Sequence, residues 1–400
     1  ELLGLERVGR HDNFFELGGH SLMVVSMIER QRLLGWRLDV RQVFLTPVMA
    51  DLAQSIASGS GDALALVVPP NLIPIGCSTI TPDLLPLVAL TQRQIDAVVR
   101  AIPGGAANVQ DIYPLAPLQE GILFHHLLQD SGDAYVLRNV FAFDSRARMD
   151  VFVAAMQQVI ARHDILRTSF AWQGLAKPVQ VVWREAPLTV QTFVPTGPEE
   201  VLAQLLAHTD PRLHRLSLAS APLFVIDIAH DPASQEWLLA LRFHHLVSDH
   251  ATQELIVSEI TAIVQGQTDI LPAPLPYRNF VAQTLCVPTE VHETYFRDML
   301  ADVDEPTAPF GILAVQGNGS DIREIHQSLD ASLAKAIRAQ ARRLSVSPGV
   351  LFHVGWAQVV AQTSGKTDVV FGTVLLGRLQ GLAGAGQVLG MFINTLPVRI

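Results

Sequence analysis

Hydrophobic positions along the chain change their spacing from stretch to stretch, and each change marks an element. Trp237-Leu238-Leu239-Ala240-Leu241-Arg242-Phe243 is an apolar run of strand length, and Leu255, Ile256, Ile260, Ile263 and Val264 then recur at helical spacing. The stretch between them, His244-His245-Leu246-Val247-Ser248-Asp249-His250, falls in a short loop from strand to helix. The same reading predicts helices over 117–128, 149–162, 201–208, 288–300, 331–344 and 349–363. Strands are predicted over 135–143, 166–172, 179–183, 223–228, 368–375 and 391–400. Helices alternating with short strands give an α/β or α+β layered fold.

The first 59 residues follow another pattern. A polar, glycine-punctuated loop over 11–19 leads to a helix opened by Ser21, with Leu22, Val25, Met27 and Ile28 apolar and Gly35 as its stop. A second short helix spans 48–56, so this is a unit of three or four helices, too small to do chemistry alone. From 60 to 108 the composition shifts: Pro69-Pro70, Pro74, Pro82, Pro86 and Pro103-Gly104-Gly105 mark turns and extended pieces. Helix-like spacing returns over 90–102, with Ile95, Val98, Val99 and Ile102 on one stripe. A pure spacer is polar and Gly/Ser-rich; this linker is apolar enough to dock on the next domain.

Composition narrows the classes. With 400 residues, 49% hydrophobic and 16% charged, the chain can bury a large core in two or three domains. A net charge of -10 argues against a nucleic-acid groove. Cys77 and Cys286 are isolated, without metal-ligand spacing or a disulfide framework, which fits a reducing cytosol and no metal. Residues 63–82 are uncharged but broken by prolines, and no signal pattern opens the chain. The expectation is a cytoplasmic protein with neither membrane nor nucleic-acid partner.

The chemistry-bearing stretch is the histidine pair. Adjacent side chains on extended backbone point to opposite faces, so His244 and His245 divide the work: one faces a cleft, the other fixes the loop together with Asp249.

Motifs spread over the chain then resemble known families. Asp12-Asn13-Phe14-Phe15-Glu16-Leu17-Gly18-Gly19-His20-Ser21-Leu22 resembles the attachment motif of peptidyl carrier domains. The resemblance implies a small all-α four-helix bundle over 1–59, trimmed at its N-terminus, and 4'-phosphopantetheine carried on Ser21 by the action of a phosphopantetheinyl transferase.

From residue 109 onward the chain is similar to condensation domains of non-ribosomal peptide synthetases. The resemblance rests on the opening from Tyr113 to His126, Arg162-His163-Asp164-Ile165-Leu166-Arg167-Thr168-Ser169-Phe170, the His244 to Asp249 stretch, and the segments 371–378 and 390–397. It implies a two-lobed α/β fold like chloramphenicol acetyltransferase, with an N-lobe over 109–275 and a C-lobe over 276–400 that is incomplete at Ile400. It implies amide formation between two carrier-bound thioesters, supplied by an upstream adenylation domain and a downstream carrier domain, with His245 positioning the amine and taking its proton. Asp249 is expected to pair with Arg378 inside the fold. One departure is His250, where the family carries glycine; it narrows the loop or adds a proton-carrying group.

His125-His126-Leu127-Leu128-Gln129-Asp130-Ser131-Gly132-Asp133 also fits the signature of dual epimerization/condensation domains, which invert the donor's terminal residue before joining it. Against this stand helix C-terminal capping by His125 and His126, a plain condensation domain for D-configured donors, and a silent recruitment domain. A stand-alone epimerase is disfavoured, because Leu376-Gly377-Arg378-Leu379-Gln380 stands where that family has Glu-Gly-His-Gly-Arg-Glu.

Overall fold

The computed structural model of the chain describes every residue except 1, 6, 20–22, 25–26, 29, 32–33, 35, 37, 39–41, 44–45, 58–67, 129–131, 314–322, 324, 345 and 380–384. In the N-terminal unit, Phe14, Val24, Met27, Ile28, Leu38, Val43 and Leu52 bury against one another. Helix α1 (Met49–Ala57) closes this small core. The expected count of four helices falls partly on residues outside those described.

The proline-rich segment packs as its apolar content demands. Ile73, Cys77, Ile80, Leu85, Leu90, Ile95, Val98 and Ile102 share a core with Val109, Ile112, Val179, Val181 and Trp183. Its helix α2 (Gln92–Arg100) starts in a capping box between Thr91 and Gln94, which satisfies end amides that a short helix otherwise leaves open. Its extended parts cannot pair with themselves, so their carbonyls are taken by neighbouring side chains. Arg184 Nη2 donates to the carbonyls of Ile73 and Pro74 at 3.2 and 2.9 Å. Arg278 donates to the carbonyl of Pro69.

Three sheets come next. The first, antiparallel, has the order β1 (Val109–Pro114), β4 (Val179–Trp183), β3 (Thr168–Ala171). The second has the order β2 (Val136–Phe143), β7 (Glu236–His244), β6 (Phe224–Asp231), β5 (Thr189–Thr192), with only β5 parallel to its neighbour. Helices α4 (Arg146–Arg162) and α6 (His250–Val264) cover the second sheet. Met149, Met156, Val159 and Ile160 meet Phe224, Phe243, Ile256 and Ile260 in the main core. Full burial of such a side chain stabilises by about 1.5–3 kcal/mol before chain entropy is counted, so this layer is what fixes the end of β7.

Helix α3 (Pro117–Leu128) lies beside that end, and α5 (Val201–His208) packs on the outer part of the sheet. The later part of the chain holds α7 (Arg278–Thr284), α8 (Thr289–Leu300), α9 (Ala331–Arg343), α10 (Pro348–Ser364) and an antiparallel pair, β8 (Val370–Leu376) and β9 (Ile393–Arg399). Tyr277, Val281, Val388, Leu389, Met391 and Phe392 carry this part into the main core. Among the described residues, no single helix is long and apolar enough to cross a membrane.

Several elements depart from the sequence expectation. The strand expected over 166–172 begins as a 3-10 turn, Ile165–Arg167, because the Asp164 carboxylate accepts from the Ile165 amide at 2.7 Å and bends the chain. Strand β5 and helix α7 were not expected. All four residues of β5 are exposed, so it lacks the apolar alternation that reveals a strand.

Candidate active site

The geometry of the histidine pair is set from the backbone outward. Val136 on β2 is in register with His244 on β7. One residue further, the His245 amide still donates to the Tyr135 carbonyl at 2.8 Å, so the turn hangs from β2. A single 3-10 turn, His245–Val247, comes next, and Asp249 then caps α6 by accepting from the Thr252 amide at 2.8 Å. Inside the turn, Gln119 of α3 donates to the Leu246 carbonyl at 2.8 Å while its own Oε1 accepts from the Ala116 amide at 2.8 Å. Gln119 is fully buried, and an unpaired amide there would be costly, so this contact is a fixed one.

The His244 side chain faces inward and is fully buried. The Leu246 amide donates to its Nδ1 at 3.1 Å, which leaves the ring proton on Nε2. That nitrogen lies 3.0 Å from Oδ2 of Asp133. His126, at the end of α3, places Nδ1 2.6 Å from the same oxygen. A carboxylate only accepts, so both rings donate to it. Oδ1 of Asp133 accepts from the Tyr135 amide at 2.9 Å.

Burial alone would push the Asp133 carboxyl up, but the hydrogen bonds from His126 and His244 overcome it and hold the group well below the usual carboxylate range. Burial pulls His244 below the ordinary imidazole value against the pull of Asp133, so the ring is neutral at pH 7. His126 Nδ1, Asp133 Oδ2 and His244 Nε2 lie within 4.8 Å of one another, a spread that would also suit a metal ion. With the Leu246 amide on Nδ1, however, the Nε2 proton of His244 points at the carboxylate, and the donor set is a hydrogen-bond relay.

Gly132 makes this relay possible. Its φ is +68°, and a Cβ there would collide with the Arg212 carbonyl oxygen, so the chain passes Arg212 only with glycine at this position. Gln129, Asp130 and Ser131 of the same motif lie outside the described residues. His125, one residue before His126, is turned by about 100° around the helix and is exposed, with its ring 6.0 Å from that of Tyr135.

His245 has the opposite character to His244. It is half-buried, and its buried Nδ1 has no hydrogen-bond partner among the described residues. A polar atom withheld from both water and protein is a group that a bound molecule can satisfy.

Asp249 fixes the loop from the other side, as expected, and ties the turn to the other lobe. Its Oδ1 accepts from Arg378 Nη2 at 2.9 Å, and its Oδ2 from the Phe392 amide at 3.2 Å. Arg378 also donates to Thr252 Oγ1 at 2.9 Å and to the Val388 carbonyl at 2.5 Å, and lies over the Phe392 ring at 4.1 Å. Both charged side chains are 2% exposed or less, so neither is free to meet substrate.

The Arg162 to Phe170 motif is architectural: His163 and Arg162 both reach Glu259, at 2.9 and 3.0 Å. His250 neither narrows the turn nor joins the buried groups. Its side chain is exposed and pairs with Glu254 one turn along α6 at 3.4 Å.

At the carrier end, Ser21 lies outside the described residues. The loop before it is folded onto its own core, with the Gly19 amide donating to the Phe14 carbonyl at 3.0 Å and Phe14 buried. A Cβ on Gly19 would strike the Phe14 ring.

Structure therefore brings together His126, His244 and the turn that holds His245, and separately Asp249 with Arg378. Asp133, Gln119, Tyr135 and Thr252 belong to the site and were not singled out from sequence. Asp133 and Gln119 carried a signal, one in the Gly-Asp step of the motif and the other in the opening from Tyr113 to His126.

Comparison with known proteins bears on the whole. Residues 1–56 match the family model described as Phosphopantetheine attachment site, the mark of a covalently attached 4'-phosphopantetheine. Malpinin synthetase and malpibaldin synthetase of Mortierella alpina are 49% and 47% identical to this chain over 402 and 403 residues, all of this chain but 5% and 7% of theirs. A linear gramicidin synthase subunit of Brevibacillus parabrevis is 32% identical over 331 residues, 80% of this chain and 6% of its own. The chain thus spans a small part of the length of these relatives.

Among solved structures, the condensation domain from the Monacolin K polyketide synthase superposes with a TM-score of 0.56 at 19% identity, over 73% of this chain and 68% of that one. The first condensation domain of the CDA synthetase gives 0.53 at 18% identity, over 72% and 69%. These likenesses carry the two-lobed α/β fold. Residues 109–400 match the family model described as Condensation domain, and the chain belongs to that family.

Proposed function

We propose that this chain forms an amide bond between two carrier-bound acyl groups, as one segment of a non-ribosomal peptide synthetase, and that it inverts the donor's α-carbon first. In this reading Ser21 holds 4'-phosphopantetheine, which when bound supplies an acyl group activated as a thioester on a flexible arm. A phosphopantetheinyl transferase modifies Ser21, an upstream adenylation domain loads it, and a downstream carrier brings the amine.

An α-amine has a pKa of about 7.7, so an appreciable fraction is neutral near pH 7 and no strong base is required. His245 orients that amine, receives its proton as the C–N bond forms, and gives a proton to the sulfur that leaves as the donor's C–S bond breaks. Tethering both reactants removes much of the entropic cost of their meeting. The observation that carries the reading is the His245 ring: fixed through its backbone by Tyr135, next to a turn held by Gln119, yet with a buried nitrogen left unpartnered.

Inversion is supported by the Asp133 contact, which joins the signature segment of α3 directly to the histidine turn. His245 then serves both steps: it removes the α-proton, the enolate takes a proton from water on its opposite face, and the imidazolium returns its proton to solvent before the ring assists the amine. A plain condensation domain that accepts a D-configured donor is the competing reading, and it gives that contact no chemical role.

The test is the pantetheinylated chain, carrying an L-aminoacyl group and incubated in deuterated water with a loaded acceptor carrier. Deuterium at the donor α-carbon and a D-configured product are expected. Recovery of purely L donor, with peptide formed, overturns inversion. A His245→Ala chain that forms peptide at the normal rate overturns the amide chemistry, since losing such a group costs roughly 10²–10⁴-fold. Intact mass before and after pantetheinylation, compared with a Ser21→Ala chain, tests the attachment point.

A further inference from the structure

We propose that Asp133 is the positioning residue through which the α3 motif reaches the reaction, and that His126 contributes to it only a hydrogen bond. Three donors from separate parts of the chain converge on this one buried carboxylate: His126 Nδ1 at 2.6 Å, His244 Nε2 at 3.0 Å and the Tyr135 amide at 2.9 Å. Two of them lead directly to His245. Tyr135 receives the His245 amide on its carbonyl. His244, held with its proton on Nε2, keeps Nδ1 open for the Leu246 amide on the other side of His245. A carboxylate that fixes the tautomer and tilt of one imidazole thereby fixes the backbone that carries the next.

His126 is in no position to exchange a proton with substrate. Its ring is buried, its Nδ1 is committed to Asp133, and its carbonyl accepts from Arg215 at 2.5 Å. The ring stands edge-on to that of His244 at 5.9 Å, so it packs against the relay. His125, beside Tyr135, is the histidine of this motif that stands open to solvent. Gly132 belongs to the same device, since its left-handed backbone threads past Arg212 to deliver Asp133.

The inference rests on the proposed amide-forming reaction; its second readout rests on inversion as well. Three variants of the full pantetheinylated chain separate a positioning role from acid–base and from purely structural ones. Asparagine places an N–H close to where histidine has Nδ1 but does not titrate, so His126→Asn preserves the relay. It is expected to retain both peptide formation and deuterium exchange at the donor α-carbon to within about threefold. His126→Ala removes the donor and is expected to lower both by about tenfold. Asp133→Asn turns an N–H toward the N–H of His244, and is expected to lower kcat for peptide formation about a hundredfold with KM changed less than threefold.

If His126→Asn abolishes α-proton exchange while peptide still forms, His126 is a proton-transfer group and the inference is wrong. If Asp133→Asn lowers the rate only in proportion to its folded fraction, the relay is structural and the inference is equally wrong. Should Asp133→Asn not fold, the contrast between the asparagine and alanine replacements of His126 still decides. A wild-type chain without α-proton exchange removes the inversion reading, and the peptide-forming rates then test the relay alone.

Discussion

Two buried carboxylates hold the histidine turn, one from each side, and they are built differently. Asp133 takes its hydrogen bonds from two imidazoles and one amide, and burial pulls one of those imidazoles, His244, below its ordinary value. Asp249 takes its bonds from a guanidinium and from the amides of Thr252 and Phe392. The Asp249 side is a charge-paired clamp between lobes, whereas the Asp133 side rests on hydrogen bonds from imidazoles, with His244 kept neutral by burial. The proposed reaction, in which a proton moves while the lobes stay joined, gains from keeping these jobs on separate residues.

The strongest way to break the comparison is to remove the clamp. Arg378→Ala leaves Asp249 charged, buried and short of its main partner, and breaking such a pair costs about 3–5 kcal/mol. Chemical denaturation should show a loss of that size. A loss under about 1 kcal/mol would mean that water or a relaxed C-lobe already serves Asp249. Next in size is Gly132→Ala, which combines a left-handed backbone with a steric collision against a carbonyl. Left-handed backbone costs about 1–2 kcal/mol for a residue with a Cβ, and overpacking adds about 1–3 kcal/mol. The same measurement should register about 2–5 kcal/mol, with peptide formation impaired because Asp133 is displaced; an unchanged midpoint would place the Arg212 carbonyl farther away.

Protonation sharpens the contrast with a smaller effect. His244 is held below its ordinary value by burial, with Asp133, His126 and His245 as the titratable groups around it. Its folded state therefore binds a proton less readily than the unfolded chain. The stability this contributes is fully present above about pH 6.5 and is lost as pH falls below it, by at most about 1.4 kcal/mol per pH unit for one proton.

Asp111 on β1 works in the opposite sense. Burial pushes its carboxyl up to about 6 despite Arg278, so its share of the stability falls as pH rises from roughly 4 to 6. Denaturation followed from about pH 7.5 down to about pH 5 in wild type and a His244→Asn chain isolates the histidine, since Asp111 is common to both. Parallel curves would show that the fold leaves His244 as ready to bind a proton as the unfolded chain does.

Much of this architecture was readable in the sequence, and the reasons are local. The helix over 117–128 begins at a proline, β4 is apolar but for Gln180, and α5 keeps helical spacing throughout, so their limits were reached without tertiary information. Helix α4 starts three residues earlier than its apolar positions suggest, because Ser145 caps it through the Arg148 amide before any core contact begins. The site was less legible. Asp249 and Arg378 are 129 residues apart, and no spacing rule joins them; only resemblance brought them together. Asp133 stood in a motif already in view, but the chain between it and His244 is 111 residues long, and a contact across that separation exists only once β2 lies beside β7.

The smallest effect concerns His250, the residue that departs from the family pattern beside the clamp. Sequence suggested a narrowed loop or an added proton carrier. Its side chain instead stands in solvent 3.4 Å from Glu254, with both partners more than 60% exposed. Exposed pairs one helical turn apart contribute about 0.3–0.5 kcal/mol and are screened by salt. His250→Ala should therefore change stability by no more than about 0.5 kcal/mol. The pH profile of peptide formation should be unmoved. A profile whose acidic limb shifts in that variant would mean that the ring swings into the site when substrate binds, and that the clamped side of the turn carries a titrating group after all.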